Sequence, residues 1–230
     1  MPIGSTTSME SFRVELLAMI ESYDEDGSLG SVPSPEPARR LIFEPLPASG
    51  GSIHPMTDPI HNLRSLIRDI PDFPKPGIVF KDITPLLADP AGLAMAVEVM
   101  ANPFRHDRVD LVVGAESRGF IFGTAIAQSL SCGFVPIRKP GKLPGKTAKA
   151  TYDLEYGSDA LEVHIDAIKP GQRVLMVDDL LATGGTMCAC IDLVRGLGAD
   201  IAATAFLIEL TFLEGRQKLG DVPIHAAIKY

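Results

Sequence analysis

Residues 174–186, VLMVDDLLATGGT, combine three features that bear on chemistry: an apolar run, the adjacent carboxylates Asp178 and Asp179, and a small loop of hydroxyls and glycines. The apolar residues Val174–Val177 read as a buried strand, and the two acids as the point where the chain meets solvent. Gly184 and Gly185 allow the backbone to approach a ligand closely. A helix starting at Gly185 would offer unpaired N–H groups and the positive end of its dipole, which suit phosphate. Thr183 and Thr186 add hydroxyl donors. The carboxylates repel phosphate and suit hydroxyl groups instead. A ligand with both phosphate and vicinal hydroxyls is a ribose phosphate. Two acids or one TGGT alone would read as ordinary turn chemistry; the thirteen-residue combination is far more specific.

Other segments add to this picture. Arg138, Lys139, Lys142, Lys146 and Lys149 fall in a stretch without an acid, within a chain of formal net charge −8. On charge alone that is a solvated loop, but it also fits a small phosphorylated ligand. The acidic balance argues against nucleic acid as a partner. PGKLPGKT, 140–147, misses the P-loop pattern because Pro140 stands where the first glycine is required, and no strand-to-helix switch frames it. GLGADI, 196–201, ends in Ile201 and is no dinucleotide fingerprint. Cys132, Cys188, Cys190 and the scattered histidines lack zinc spacing, so no protein metal site is expected.

The elements that must position these residues follow from periodicity. The chain has 230 residues, 46% hydrophobic and 22% charged, an ordinary balance for one soluble domain. Residues 1–59 are rich in Ser, Gly, Pro and acids and are expected to form a disordered extension, with at most a weak helix near residues 9–23. Met56, just ahead of the first folded segment, is a candidate translation start. Residues 60–230 read as the folded domain. Helices are expected over 60–70, 91–101, 119–130 and 185–197. Strands are expected over 109–114, 134–138, 173–177 and 201–210, with an irregular β excursion over 151–168. This alternation predicts an α/β fold with a mainly parallel sheet flanked by helices. No apolar run is long enough for a membrane span and no signal peptide opens the chain, so a cytoplasmic location without membrane association is the default.

Five motifs in order, PDFPKPGIVFKDITPLL, GAESRGFIFG, RKPGKLPG, YDLEYG and VDDLLATGGT, together resemble the type I phosphoribosyltransferases. The resemblance covers roughly Asp58–Tyr230 and points to the adenine-using branch. It implies the family's fold, a mainly parallel sheet flanked by helices with a small mobile β hood. It also implies the reaction of adenine with 5-phosphoribosyl 1-diphosphate to give AMP and diphosphate. Mg2+ would be required, bound mainly through substrate oxygens, and a homodimer is expected. By this resemblance Ala182, Thr183, Gly184, Gly185 and Thr186 cradle the 5′-phosphate, and Asp178 and Asp179 face the ribose. Glu116, Ser117 and Arg118 form the diphosphate turn, with a strained Glu116–Ser117 peptide. Arg138, Lys139 and Lys142 help bind diphosphate, partly across the dimer interface. Glu155 in the hood is the expected acid/base group, with Tyr156 packing or positioning substrate. Val79, Phe80 and Lys81 would read adenine, Phe80 by stacking and the others through backbone groups, and Leu180 would cover the other ring face. Two alternatives stay open: a sibling enzyme for 6-oxopurines, and a ligand-sensing regulator on the same fold.

Overall fold

The structure is a computed structural model, and it describes residues 58–153 and 158–230. The expected extension 1–59 therefore lies outside the described residues, apart from Asp58 and Pro59. These two open the first helix, α1 (Pro59–Ser65), where the Asp58 carboxylate accepts from the Ile60 N–H and Pro59 fills the first turn.

The expected helix over 60–70 is cut short. After α1 the chain turns extended as β1 (Arg68–Pro71) and pairs antiparallel with β2 (Val79–Asp82). Pro71 cannot continue a helix and disfavours helical backbone before it. The hairpin also has cross-strand charge pairing: Arg68 faces Asp82, and Lys81 faces Asp69 at 2.7 Å. The apolar spacing that suggested a helix is real only as far as Leu63 and Ile67, both in the core.

A short helix α2 (Thr84–Ala88) follows, then α3 (Pro90–Ala101), capped by Asp89 accepting from the Gly92 N–H. The remaining order is β3 (Leu111–Ala115), α4 (Gly119–Ser129), β4 (Gly133–Ile137), β5 (Thr147–Asp153), β6 (Ser158–His164), β7 (Arg173–Leu181), α5 (Gly185–Gly196), β8 (Asp200–Glu209), α6 (Gly215–Lys218) and β9 (Ile224–Lys229). Five strands form one sheet in the order β4-β3-β7-β8-β9, every neighbour parallel. β5 and β6 form a separate antiparallel pair, a regular hairpin where an irregular excursion was expected. It is the element expected to serve as the hood.

Both faces of the main sheet are covered, as the unbroken apolar strands require. Side chains alternate across it. Val113, Met176 and Phe206 point into one core with Val194 of α5, while Val112, Leu175 and Leu207 point into the other with Phe122 and Ile126 of α4. β3 and β7, adjacent in the middle of the sheet, thus end side by side, each leading into a helix.

Candidate active site

A cleft of about 340 Å³ opens at the carboxyl ends of β3 and β7, the place where open parallel sheets bind ligands. Its walls are Glu116–Arg118 after β3, Asp178–Leu181 at the end of β7, and Ala182–Met187 of the following loop and first turn of α5. Two segments sixty residues apart in the sequence, both singled out by their motifs, are thereby brought together. The peptide between Glu116 and Ser117 is cis.

The acids do not mark the end of the strand. β7 continues to Leu181 because it stays in register with β8, Asp178 opposite Phe206 and Leu180 opposite Ile208. Asp179 is 4% exposed rather than solvated. It is held by Arg118, whose Nε lies 2.9 Å from Asp179 Oδ2. The Asp179 N–H donates to Asp178 Oδ1 at 2.9 Å. Burial, and the neighbouring Asp179 charge, push the Asp178 carboxyl well above the ordinary carboxylate range. Burial also raises Asp179, with Arg118 pulling the other way. The cleft floor is thus two acids and one guanidinium, an environment that favours a positively charged visitor.

The phosphate-type loop has the expected form. Gly184 adopts φ +79°, the left-handed region, and stands as the residue before α5 with no side chain capping the helix. The first turn of this twelve-residue helix lines the cleft, and no side chain caps its N–H groups. Gly119 serves a different purpose, which its motif did not reveal: a Cβ there would sit 2.9 Å from the Val177 carbonyl and 3.0 Å from Asp178 Oδ1. Only glycine lets the start of α4 press against the strand that carries the acids.

The basic segment after β4 packs against the turn after β3. Arg138, Lys139 and Lys142 are not part of the cleft wall. The Arg138 fork donates to Glu116 from Nε at 3.2 Å and Nη2 at 3.3 Å, and Nη1 donates to the Lys142 carbonyl at 3.3 Å. The Lys139 N–H also donates to Glu116, at 3.0 Å. These bonds, the Lys139 N–H foremost and then Arg138, hold the Glu116 carboxyl below its usual range. Glu116 therefore braces the basic segment against the turn.

Val79, Phe80 and Lys81 stand on β2, beside the cleft rather than in its wall. Arg118 is the link: its guanidinium lies 5.3 Å from the Phe80 ring centroid. The Phe80 ring packs edge-on against Phe73, 52% exposed, at 5.2 Å. The Lys81 ammonium is committed elsewhere, to Asp69 and over the Tyr230 ring at 4.0 Å. Its backbone is another matter. Pro71 has no N–H, so the Pro71–Val79 pair cannot exchange two bonds. Antiparallel alternation then turns the N–H and C=O groups of Val79 and Lys81 toward the free edge of β2. Leu180 lines the cleft. Glu155 and Tyr156 lie outside the described residues. Leu181 and Met187 of the wall escaped the sequence reading, since nothing but their neighbours marks them.

A family profile described as a phosphoribosyl transferase domain matches residues 83–222. The adenine phosphoribosyltransferase of Acidobacterium capsulatum is 56% identical over 168 residues, which span 73% of this chain and 93% of that protein. The crystal structure of adenine phosphoribosyltransferase from Thermoanaerobacter pseudethanolicus superposes with a TM-score of 0.73 at 50% identity, covering 74% of this chain and 99% of that one. The Saccharomyces cerevisiae enzyme, crystallised with adenine and an imino-altritol bisphosphate, does so with a TM-score of 0.70 at 40% identity, covering 74% and 98%. A cleft that pairs adjacent acids with an open helix start, on a sheet of this order and with relatives this similar, leaves one assignment: the chain belongs to the phosphoribosyltransferase family.

Proposed function

We infer that the chain is an adenine phosphoribosyltransferase, which joins adenine to 5-phosphoribosyl 1-diphosphate to make AMP and release diphosphate. The observation that carries this reading is the meeting, in one cleft, of an uncapped helix start and two adjacent acids, Asp179 buried and Asp178 beside it. The first suits the 5′-phosphate and the second the ribose.

In the reaction the bond from C1′ to the diphosphate oxygen breaks, a bond from C1′ to adenine N9 forms, and N9 loses its proton. Positive charge develops on the ribose ring as the leaving group departs. Asp178 and Asp179 stabilise it from close range in a poorly solvated site. Ala182–Thr186 hold the 5′-phosphate, and Glu116–Arg118 the diphosphate. Arg118 must exchange its bond to Asp179 for one to the incoming anion. Phe80 stacks on adenine, the Val79 carbonyl accepts from its 6-amino group, and the Lys81 N–H donates to N1. That pattern rejects a 6-oxopurine, whose donor and acceptor are reversed. Leu180 covers the opposite face. Glu155 takes up or relays the N9 proton as the hairpin β5–β6 covers the site and excludes water.

Magnesium fits this cleft as an ion carried by the substrate. Among the described residues no three Asp, Glu, His or Cys side chains gather to hold a metal. Of the cleft carboxylates, Glu116 is taken by Arg138 and Lys139 and Asp179 by Arg118, which leaves Asp178. One or two carboxylates with substrate oxygens and water are the usual setting for Mg2+. When bound it neutralises the charge of the departing diphosphate. A cytoplasmic homodimer completes the reading. No helix among the described residues is long and apolar enough to cross a membrane.

The test is an assay with Mg2+, 5-phosphoribosyl 1-diphosphate and each purine base in turn, repeated with Glu155→Gln. AMP from adenine, with kcat lowered about 10²-fold or more in the variant, is expected. Turnover with 6-oxopurines alone would overturn the reading of β2. Tight binding of the ribosyl diphosphate without turnover would favour a sensor.

A further inference from the structure

Behind the phosphate loop, on the side away from the cleft, lies the short helix α6, to which nothing above assigns a role. Its first residue, Gly215, packs on the loop backbone to backbone. A Cβ at Gly215 would fall 2.0 Å from the Ala182 carbonyl oxygen and 2.9 Å from the Gly184 nitrogen. In the other direction, a Cβ at Gly184 would fall 2.5 Å from the Gly215 carbonyl oxygen. Such contact leaves the loop no room to move backward, and any side chain at 215 would push it into the cleft.

The next residue fixes Gly215 in place. Arg216 donates from Nε at 2.9 Å and from Nη2 at 2.6 Å to Glu209, whose carboxylate is 4% exposed. Its Nη1 donates to the Ile224 carbonyl at 3.3 Å. One guanidinium thus ties together the last residue of β8, the first residue of β9 and the helix that bears Gly215. The two-bond fork is the geometry that only arginine supplies. The joint continues into the loop through the Leu210 N–H, which donates to the Leu181 carbonyl at 2.9 Å. A buried carboxylate at a strand end would be costly without a purpose, and here it holds a backing plate for the loop.

We propose that Arg216, anchored by Glu209, is a positioning residue that presses Gly215 against Ala182–Gly184 and so sets the shape of the phosphate loop. The inference rests on the reading of Ala182–Thr186 as the 5′-phosphate site. It adds a residue more than thirty positions away in the sequence, one that touches no substrate. A loop held rigid from behind binds phosphate without first being ordered, so loosening the plate weakens binding of the 5′-phosphate and not of the diphosphate, which the Glu116–Arg118 turn holds.

The test separates the two subsites. Ribose 5-phosphate and inorganic diphosphate, each with Mg2+, are titrated calorimetrically into the full-length wild type, Gly215→Ala and Arg216→Lys, and KM and kcat are measured alongside. Gly215→Ala is expected to weaken ribose 5-phosphate about tenfold or more, a loss of ~1.4 kcal/mol or more. It should leave diphosphate affinity unchanged within about twofold. KM for the ribosyl diphosphate rises by the same factor as ribose 5-phosphate weakens, and kcat falls far less. Arg216→Lys keeps the charge and loses the fork, and shows the same selectivity to a smaller degree. If Gly215→Ala has no cooperative melting transition, Arg216→Lys alone decides. Equal loss of both ligands, or no loss of either in folded variants, overturns the proposal. A wild type that binds ribose 5-phosphate but makes no AMP, with the selective loss intact, removes the assigned activity and leaves the positioning role standing. A wild type that binds no ribose 5-phosphate removes both.

Discussion

Asp178→Asn should stabilise the protein while disabling it. No ion pair holds Asp178 among the described residues; its partner is the Asp179 N–H, which an asparagine oxygen would satisfy equally. Like charges on two adjacent carboxylates repel by ~3–4 kcal/mol at an effective dielectric of ~20. Arg118 offsets part of this, which leaves a relief of about 1–2 kcal/mol on neutralisation. At about 2–4 °C per kcal/mol for a domain of this size, the melting temperature of the ligand-free protein rises by about 2–8 °C. The matching change at Asp179 relieves the same repulsion but gives up the 2.9 Å pair with Arg118, so its net gain should be the smaller. Arg118 is 36% exposed on its side chain and can turn to water, so the loss is about 1 kcal/mol. The effect of Asp178→Asn also depends on pH in a fixed direction. The folded pKa is raised, so the folded state holds the proton more firmly than the unfolded one. The wild type is therefore penalised fully above the folded value, and the penalty fades as pH falls toward the ordinary value of 3.8. Melting curves of both proteins without substrate should converge on acidification. Activity moves oppositely to stability: kcat falls about 10²-fold or more in either variant. A folded Asp178→Asn protein that melts below the wild type at neutral pH, or one that keeps full kcat, would refute the reasoning.

Three further outcomes are expected. Phe80→Ala raises KM for adenine about tenfold or more, as loss of base–aromatic stacking of ~1–3 kcal/mol requires, and changes KM for the ribosyl diphosphate much less; initial-rate kinetics in both substrates check it. Lys81→Arg leaves KM for adenine within about twofold, because the contact assigned to Lys81 is its backbone N–H and its ammonium is engaged by Asp69; the same assay applies. His225, half-buried and within 3.1 Å of the Val99 carbonyl, has its pKa lowered by burial. Its contribution to stability is present above the unfolded value of about 6.5 and is lost as pH falls from there through the lowered folded value. Melting between pH 5 and 8 should therefore show a steeper acid-side loss in wild type than in His225→Gln.

Much of the architecture was legible because helices and buried strands leave different periods in the sequence. The stretches 119–130 and 185–197 ended within a residue or so of α4 and α5. The errors arose where a local signal was overruled by a distant partner. Residues 68–71 carry apolar spacing that continues a helix, yet the partner that makes them a strand lies at 79–82. Asp178 and Asp179 look like a strand end to any local rule, yet β8 keeps β7 paired through Leu181. β9, with its half-buried IHAAIK, went unread because its only strong cue is the neighbour it pairs with. The site shows the same division. Motif residues that touch each other locally, Ala182–Thr186, were found as a group. Arg138, expected with Lys139 and Lys142 to help bind diphosphate, also pairs with Glu116 twenty-two residues earlier, a contact that no local pattern announces.

That last pairing bears on how the protein can change. Glu116 and Arg138 constitute a single unit of variation: a substitution at one alters the value of every residue at the other. Changes made at Arg138 alone mostly sample an acid beside the turn that keeps only the Lys139 N–H, whatever the merit of the new side chain. The route to a different turn therefore runs through paired substitutions, and single-site tolerance measured at either position would understate how far the two can move together.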